Sequence, residues 1–407
     1  MLRGRESIGR LLQIMTVSRT ENTSYENKCY SLCFVALHAS ALFDKTAVAN
    51  TVGGAEVQQY MLAYELKNRG AEIKFIVKDD PHIREKKIDS FELVKAYNPS
   101  VGIRFIRGIY PQFIKLWRAL DKANCDVYYV RGAKYESGIV WLYCKLNKRL
   151  MVQAIAHDYD CSINTLHNLK GWFKKQLYLW ALRGADLVLS QTVEQRELLQ
   201  NNLKIGSEVI PNLMNINTDI DLKCRTRVRS VLWIATVKPI KQPYIFLELA
   251  KQFPNLNFTM IGPMSNKFEL YRQNFIEAAI GVQNLRFIDY VPIDEIEKYF
   301  VGSDLLISTS EKEGFPNVFL QAWAHGKPVI SFVDPDGVIS RRGLGYVVES
   351  SREMEQAVRE VSSKVCGDKL KIMGDNALKY VAEIHGANNV VESLSSKVTN
   401  LLSDRSL

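Results

Sequence analysis

Two series of short apolar runs alternate with helix-forming stretches along this chain. That alternation limits the available folds more than any other feature. The first series starts at Tyr30–Leu37 and continues through Glu72–Val77, Ile103–Ile106, Asp126–Val130, Leu150–Ala156 and Leu187–Leu189. The second restarts at Ser230–Ala235 and continues through Asn257–Ile261, Leu285–Ile288, Leu305–Ile307 and Val329–Phe332. Runs this short and this apolar are predicted to be strands buried on both faces. Strands separated by helices form parallel sheets, here twice over. The seam falls at Ile210-Pro211-Asn212, followed by a polar stretch to Arg229. We expect a polar extension over residues 1–29, one α/β domain over 30–214 and a second over 215–380. A C-terminal helix over 381–407 is expected to cross back to the first domain. No sequence repeat is visible between the halves.

Length agrees with two domains, because 407 residues exceed what one ordinary core accommodates. No apolar run reaches the ~18 residues of a membrane-spanning helix, and residues 1–28 lack the apolar stretch of a signal peptide. The seven cysteines are scattered without a CxxC spacing. This favours a reducing cytoplasm and argues against a disulfide frame or structural zinc. Charge is lopsided: residues 1–215 hold 30 of the 53 Lys and Arg but only 21 of the 44 Asp and Glu, and the remainder is balanced. A basic first half attracts anionic partners. Within it, Phe113, Leu116, Trp117 and Leu120 form an apolar stripe among Lys115, Arg118 and Lys122, and Trp141, Leu142 and Lys145–Arg149 form a second mixture. Such a surface suits an anionic membrane face; equally, these are helices packed on a sheet. We expect a cytoplasmic protein, peripheral on the inner membrane face, with no nucleic-acid partner.

The stretch Glu313–Phe332, EGFPNVFLQAWAHGKPVISF, carries the densest chemical signal. Pro316 suits the first position of a helix. Phe319, Ala322 and Trp323 give that helix an apolar face, and Gly326 and Pro328 end it. A helix amino end at the carboxyl edge of a parallel sheet favours an anion, often a phosphate. Backbone N–H groups near Pro316, Asn317 and Val318 can hold a diphosphate. Gln321 lies about five residues into the helix, ~7.5 Å along its axis. Its side chain leans back toward the helix amino end, beside which Glu313 stands. Gly53 and Gly54 precede another helix and let backbone approach a phosphate or sugar closely, or make an ordinary tight turn. His157 follows a buried strand and sits at a sheet edge.

Ser310–Val329 resembles the donor-site signature of glycosyltransferase family 4, the retaining enzymes of the GT-B fold. Gly53-Gly54-Ala55-Glu56, His157-Asp158, Ile210-Pro211-Asn212 and Lys241 fall in the family's order. The resemblance covers roughly residues 30–400. It departs at two places: the family's second Glu is Gln321, and its Gly-Arg after the first strand of the second domain is Ala235-Thr236. The resemblance implies two Rossmann-like domains with parallel sheets facing across a cleft. It implies Glu313 and His157 as catalytic residues. Donor contacts would come from Gly53, Gly54, Lys238, Lys241, Gly314, Phe315, Pro316, Asn317, Val318 and Gln321. The donor would be a UDP- or GDP-sugar, and the acceptor a glycan or lipid-linked glycan.

Asp158-Tyr159-Asp160 matches the DxD metal motif of the other large glycosyltransferase fold, as do Asp219-Ile220-Asp221 and Asp334-Pro335-Asp336. Three-letter matches are frequent by chance, and no required metal or other cofactor is expected. Two other classes stay open: a GT-B epimerase or phosphorylase, and a non-catalytic sugar-nucleotide-binding subunit. A dinucleotide oxidoreductase is disfavoured by the missing GxGxxG spacing.

Overall fold

The computed structural model describes residues 30–43, 53–83, 87–88, 90–98, 112–166, 169–216, 227–263, 268–292, 295–363 and 366–405. The polar extension, the strand expected at Ile103–Ile106 and Asp219-Ile220-Asp221 lie outside them. The described residues form two compact units, one of residues up to 213 together with 387–405, the other of 214–386.

In the first unit the order is β1 (Ser31–Val35), α1 (Ser40–Phe43), α2 (Gly54–Asn68), β2 (Glu72–Val77), β3 (Lys87–Ile88), β4 (Phe91–Lys95), α3 (Ile114–Ala123), β5 (Val127–Arg131), α4 (Glu136–Leu146), β6 (Leu150–Ala154), α5 (Trp172–Gly184), β7 (Leu187–Ser190), α6 (Val193–Leu203) and β8 (Glu208–Val209). The second unit holds β9 (Ser230–Ile234), α7 (Pro243–Gln252), β10 (Asn257–Ile261), α8 (Glu269–Ala279), β11 (Leu285–Ile288), α9 (Glu297–Gly302), β12 (Leu305–Ser308), α10 (Asn317–Ala324), β13 (Val329–Ser331), α11 (Val338–Arg342), β14 (Gly345–Val347), α12 (Ser351–Ser362) and α13 (Gly367–Tyr380). The last helix, α14 (Ala387–Arg405), belongs to the first unit and packs on α2. There Arg69 donates to Asn388 at 2.6 Å and Tyr30 Oη lies 3.3 Å from Ser395 Oγ.

The strand orders are β3-β4-β2-β1-β5-β6-β7-β8 and β11-β10-β9-β12-β13-β14. The described pairings are parallel apart from the β3–β4 edge hairpin. Both sheets reverse their direction of winding at one place: between β1 and β5 in the first, between β9 and β12 in the second. Loops leaving the carboxyl ends of those strands diverge and leave a crevice, the usual ligand position in open α/β sheets.

The same device pins both reversal points. Asp126 precedes β5 and accepts from Ser31 N at 2.9 Å and Ser31 Oγ at 2.7 Å, one residue before the Leu32–Val127 pair. Asp304 precedes β12 and accepts from Arg229 N at 2.8 Å, Ser230 N at 2.9 Å and Ser230 Oγ at 2.9 Å, one residue before the Val231–Leu305 pair. A carboxylate that takes the first donors of a neighbouring strand sets the register of parallel pairing, which no tight turn can set.

Parallel sheets need cover on both faces, and the expected membrane stripe goes to that use. Leu116 and Leu120 are fully buried against the first sheet, and Trp117 meets Tyr143 edge-on at 5.2 Å. Trp141 lies over Gly184, where an added Cβ would sit 2.0 Å from its indole nitrogen. Packing therefore takes most of the apolar part of both stretches, and Leu146, 66% exposed, stays outside with the charges. In the second unit Trp233, Phe246, Phe258 and Met260 centre the core. The five described cysteines are buried and unpaired.

Replacing Asp304 by Ala removes three charge-assisted hydrogen bonds from a site only 7% exposed. We expect a loss of about 2–4 kcal/mol in urea unfolding, and a smaller loss for Asp126→Ala, whose side chain is 42% exposed. Equal losses would contradict the role given to burial.

Candidate active site

The reversal point of the second sheet brings together two segments far apart in sequence. After β9 the chain enters a single 3-10 turn, Pro239–Lys241, introduced by Lys238. After β12 it runs through Thr309–Gly314 to Pro316 and α10. Thr309 joins the two segments: its hydroxyl accepts from Trp233 Nε1 at 2.9 Å and donates to the Lys241 carbonyl at 2.6 Å. Glu311 N donates to the Ile240 carbonyl at 3.0 Å. These bonds bring the side chains of Lys241 and Glu313 into a direct, largely buried ion pair, 15% and 16% exposed.

Lys238 stands half-buried beside them. Burial first, and then the Lys241 ammonium, hold it below the usual lysine range, and the Glu313 carboxylate only partly opposes this. Two ammonium groups with one carboxylate leave net positive charge in a partly desolvated place, and an anion there relieves it. The amino end of α10 adds to the same field. Pro316 is its N-cap, with φ −68° and ψ 121°, and supplies no side-chain cap. That puts Pro316 one position earlier than the sequence pattern suggested, because its ψ is extended rather than helical. The first N–H groups of a helix have no intrahelical partner, and those of Asn317 and Val318 open this helix.

The remaining donor candidates take different places. Gly314 adjoins Glu313 in the loop and is half-buried. The Phe315 ring is buried, 6.3 Å from Trp323 and 5.1 Å from His385, so its side chain anchors the loop and only its backbone remains for a ligand. Gln321 is half-buried one turn into α10, and its carbonyl lies 2.7 Å from His325 Nδ1.

In the first unit, Gly53 is the N-cap of α2. The room left by its missing side chain is taken by Glu56, whose Oε2 would lie 2.4 Å from an added Cβ. Glu56 is buried and pairs with Lys134 at 3.6 Å. Gly54 opens the helix and is exposed. Partial burial and the Lys134 ammonium hold nearby His38 below the usual histidine range. His157 is exposed at the carboxyl end of β6, as its place after a buried strand suggested, and it also has local work. Its carbonyl accepts the Asp160 N–H at 2.9 Å, and the Asp160 carboxylate accepts the N–H of His157 at 3.1 Å and of Ala156 at 2.9 Å. Asp158 accepts from Gln195 Nε2 at 2.9 Å. Asp334 accepts from Ile339 N at 2.7 Å, capping α11. In the described DxD matches Asp160 thus caps a turn and Asp334 a helix.

Three residues of the site were missed by sequence reading. Thr309 is the hinge pin just described. Trp233 showed a signal, since a buried indole N–H needs an acceptor. Gly262, with φ +150°, ends β10 where an added Cβ would lie 1.8 Å from the Ala235 carbonyl. Its signal was a glycine closing a buried strand.

Residues 229–364 match the model of glycosyl transferases group 1, and residues 52–218 match that of glycosyltransferase family 4. The chain belongs to this family of GT-B glycosyltransferases. A curated relative, an uncharacterized glycosyltransferase of Haemophilus influenzae, is 23% identical over 221 residues, 52% of this chain. The match spans 61% of that relative's length. Sucrose-phosphate synthase of Thermosynechococcus elongatus has the same fold, with a TM-score of 0.71 at 15% identity over 92% of this chain and all of that one. Anabaena HepE, solved with UDP-glucose, gives 0.68 at 15% identity over 91% of this chain and all of that one.

Thr309→Val removes the bridging hydroxyl and strands the buried Trp233 N–H. We expect a loss of about 1–3 kcal/mol in chemical unfolding, with most of it restored by Thr309→Ser. A valine variant as stable as wild type would contradict the bridge.

Proposed function

We propose that this chain is a retaining hexosyltransferase. It moves a sugar from a nucleotide-diphosphate sugar to a glycan or lipid-linked acceptor in polysaccharide or cell-surface glycan assembly. The observation that carries the reading is the convergence of Lys238, Lys241 and the α10 amino end on one carboxylate, Glu313, at the sheet's reversal point. Departure of a nucleoside diphosphate is an electrostatic task, and fixed positive groups at the developing charge perform it. Donor binding exchanges the ion pair: the diphosphate takes the Lys241 ammonium and the helix N–H groups, and the sugar hydroxyls take the Glu313 carboxylate. Gln321 faces the ribose with an amide, which both donates and accepts. The first unit holds the acceptor. HepE's complex with UDP-glucose favours uridine over guanosine as the base.

A second reading keeps the binding and drops the chemistry. Ala235-Thr236 and Gln321 stand where the family's signature carries charged side chains, as a sugar-nucleotide-binding subunit without activity would allow. Thermal-shift measurements with UDP-, GDP- and ADP-sugars separate binding from its absence. A UDP-sugar at 100 times its Kd should stabilise the protein by about 2.7 kcal/mol. Lys241→Met should abolish that shift, and Glu313→Gln should lower transfer by about 10²–10³-fold. A shift without any transfer product favours the binding subunit. Absence of a shift with every nucleotide sugar overturns both.

A further inference from the structure

One face of α5 is built to rest on something outside the chain. Its inner face is tightly docked: Tyr178, Leu179, Ala181 and Leu182 are buried. Gly138 of α4 lies against it so closely that an added Cβ would fall 2.8 Å from the Leu177 carbonyl. The outer face carries Trp172, Phe173 and Trp180, which are 72%, 61% and 45% exposed. At 100° per residue, Trp172, Gln176, Trp180 and Arg183 form a single stripe, with Phe173 beside Trp180. Exposed Ile163 lies in the preceding loop, where the Lys175 ammonium donates to its carbonyl at 3.2 Å. Clustered exposed aromatics of this kind mark an interaction surface.

Charge says what the partner is. From Cys161 to Ala185 there is no Asp or Glu, while Lys170, Lys174, Lys175 and Arg183 are basic. Lys170 and Arg183 are exposed, at the start of the stripe and in its last turn. Lys174 lies over the Tyr135 ring at 4.8 Å, which puts the amino end of α5 beside the residues that follow β5. We infer that this face binds the surface of an anionic lipid bilayer. Tryptophan and phenylalanine enter the headgroup boundary, and the basic side chains neutralise lipid phosphates. The helix lies along the surface; no described helix is long and apolar enough to cross a membrane. This places the membrane contact on α5, whereas most apolar side chains of the 113–149 stretches pack on the core.

The test is co-sedimentation of the full chain with vesicles of phosphatidylcholine plus phosphatidylglycerol, against phosphatidylcholine alone. The wild type should bind the anionic vesicles, and added salt should release part of it. Trp172→Ala/Phe173→Ala and Lys170→Glu/Arg183→Glu should each weaken binding about tenfold or more. These side chains are exposed, so circular dichroism and the UDP-sugar thermal shift should stay as in wild type. Equal binding to both vesicle types, no binding by the wild type, or unchanged binding by both variants overturns the inference. So does a wild-type dimer that the aromatic variant converts to monomer, because a second copy then covers the face. Vesicle binding and donor binding are read separately, so failure of one leaves the other standing.

Discussion

The parallel pairing of β9 with β12 is the constraint on which the candidate site depends. A parallel pair has no tight turn to set its register, so something else must align the strands. Here the buried Asp304 carboxylate does so by taking the first donors of β9. One step of slippage would turn every inward side chain outward. It would also separate the two loops that carry Lys241 and Glu313. The first unit repeats the device with Asp126 and Ser31. The two halves therefore share a physical solution that no sequence repeat reveals.

Above that register, the site is a problem of placing like charges together. Lys238 and Lys241 repel each other, burial raises the penalty, and a single carboxylate offsets only part of it. The chain bears this because Thr309 ties the turn to the loop through neutral hydrogen bonds, so the geometry does not depend on the ion pair itself. In the proposed function, a site held in this way keeps its shape when an anion displaces the carboxylate. That is preorganisation in its simplest form: donors are fixed before charge arrives, and little reorganisation follows.

Much of this was legible in the sequence, for definable reasons. The central strands of both sheets are short, mostly apolar runs, and all five runs expected in the second half are strands. Edge elements escaped: β3, β4, β8 and β14 are short or half-exposed, and their residues carry no periodic signal. Lys241 and Glu313 stood out through the resemblance of their neighbours, but the pairing across 72 residues could come only from the topology. Thr309 gave no signal, because a threonine after a strand is unremarkable until its two partners are known. The apolar-basic stretches of 113–149 were ambiguous for a related reason. Composition cannot tell a helix face that covers a sheet from one that faces outward. Phe315 stands between these cases: its motif position was plain, yet its ring turns into the core beside Trp323 and His385.

We propose that one anion-binding centre, built by the Pro239–Lys241 turn, Glu313 and the α10 amino end, receives the donor's diphosphate. A crystal structure of the chain grown with UDP-glucose tests it most directly. The account requires phosphate oxygens about 3 Å from Lys241 Nζ and from the Val318 N–H, with the Glu313 carboxylate turned to the hexose. Nucleotide bound elsewhere on the chain, or a Lys241–Glu313 pair left intact beside a bound diphosphate, would contradict it.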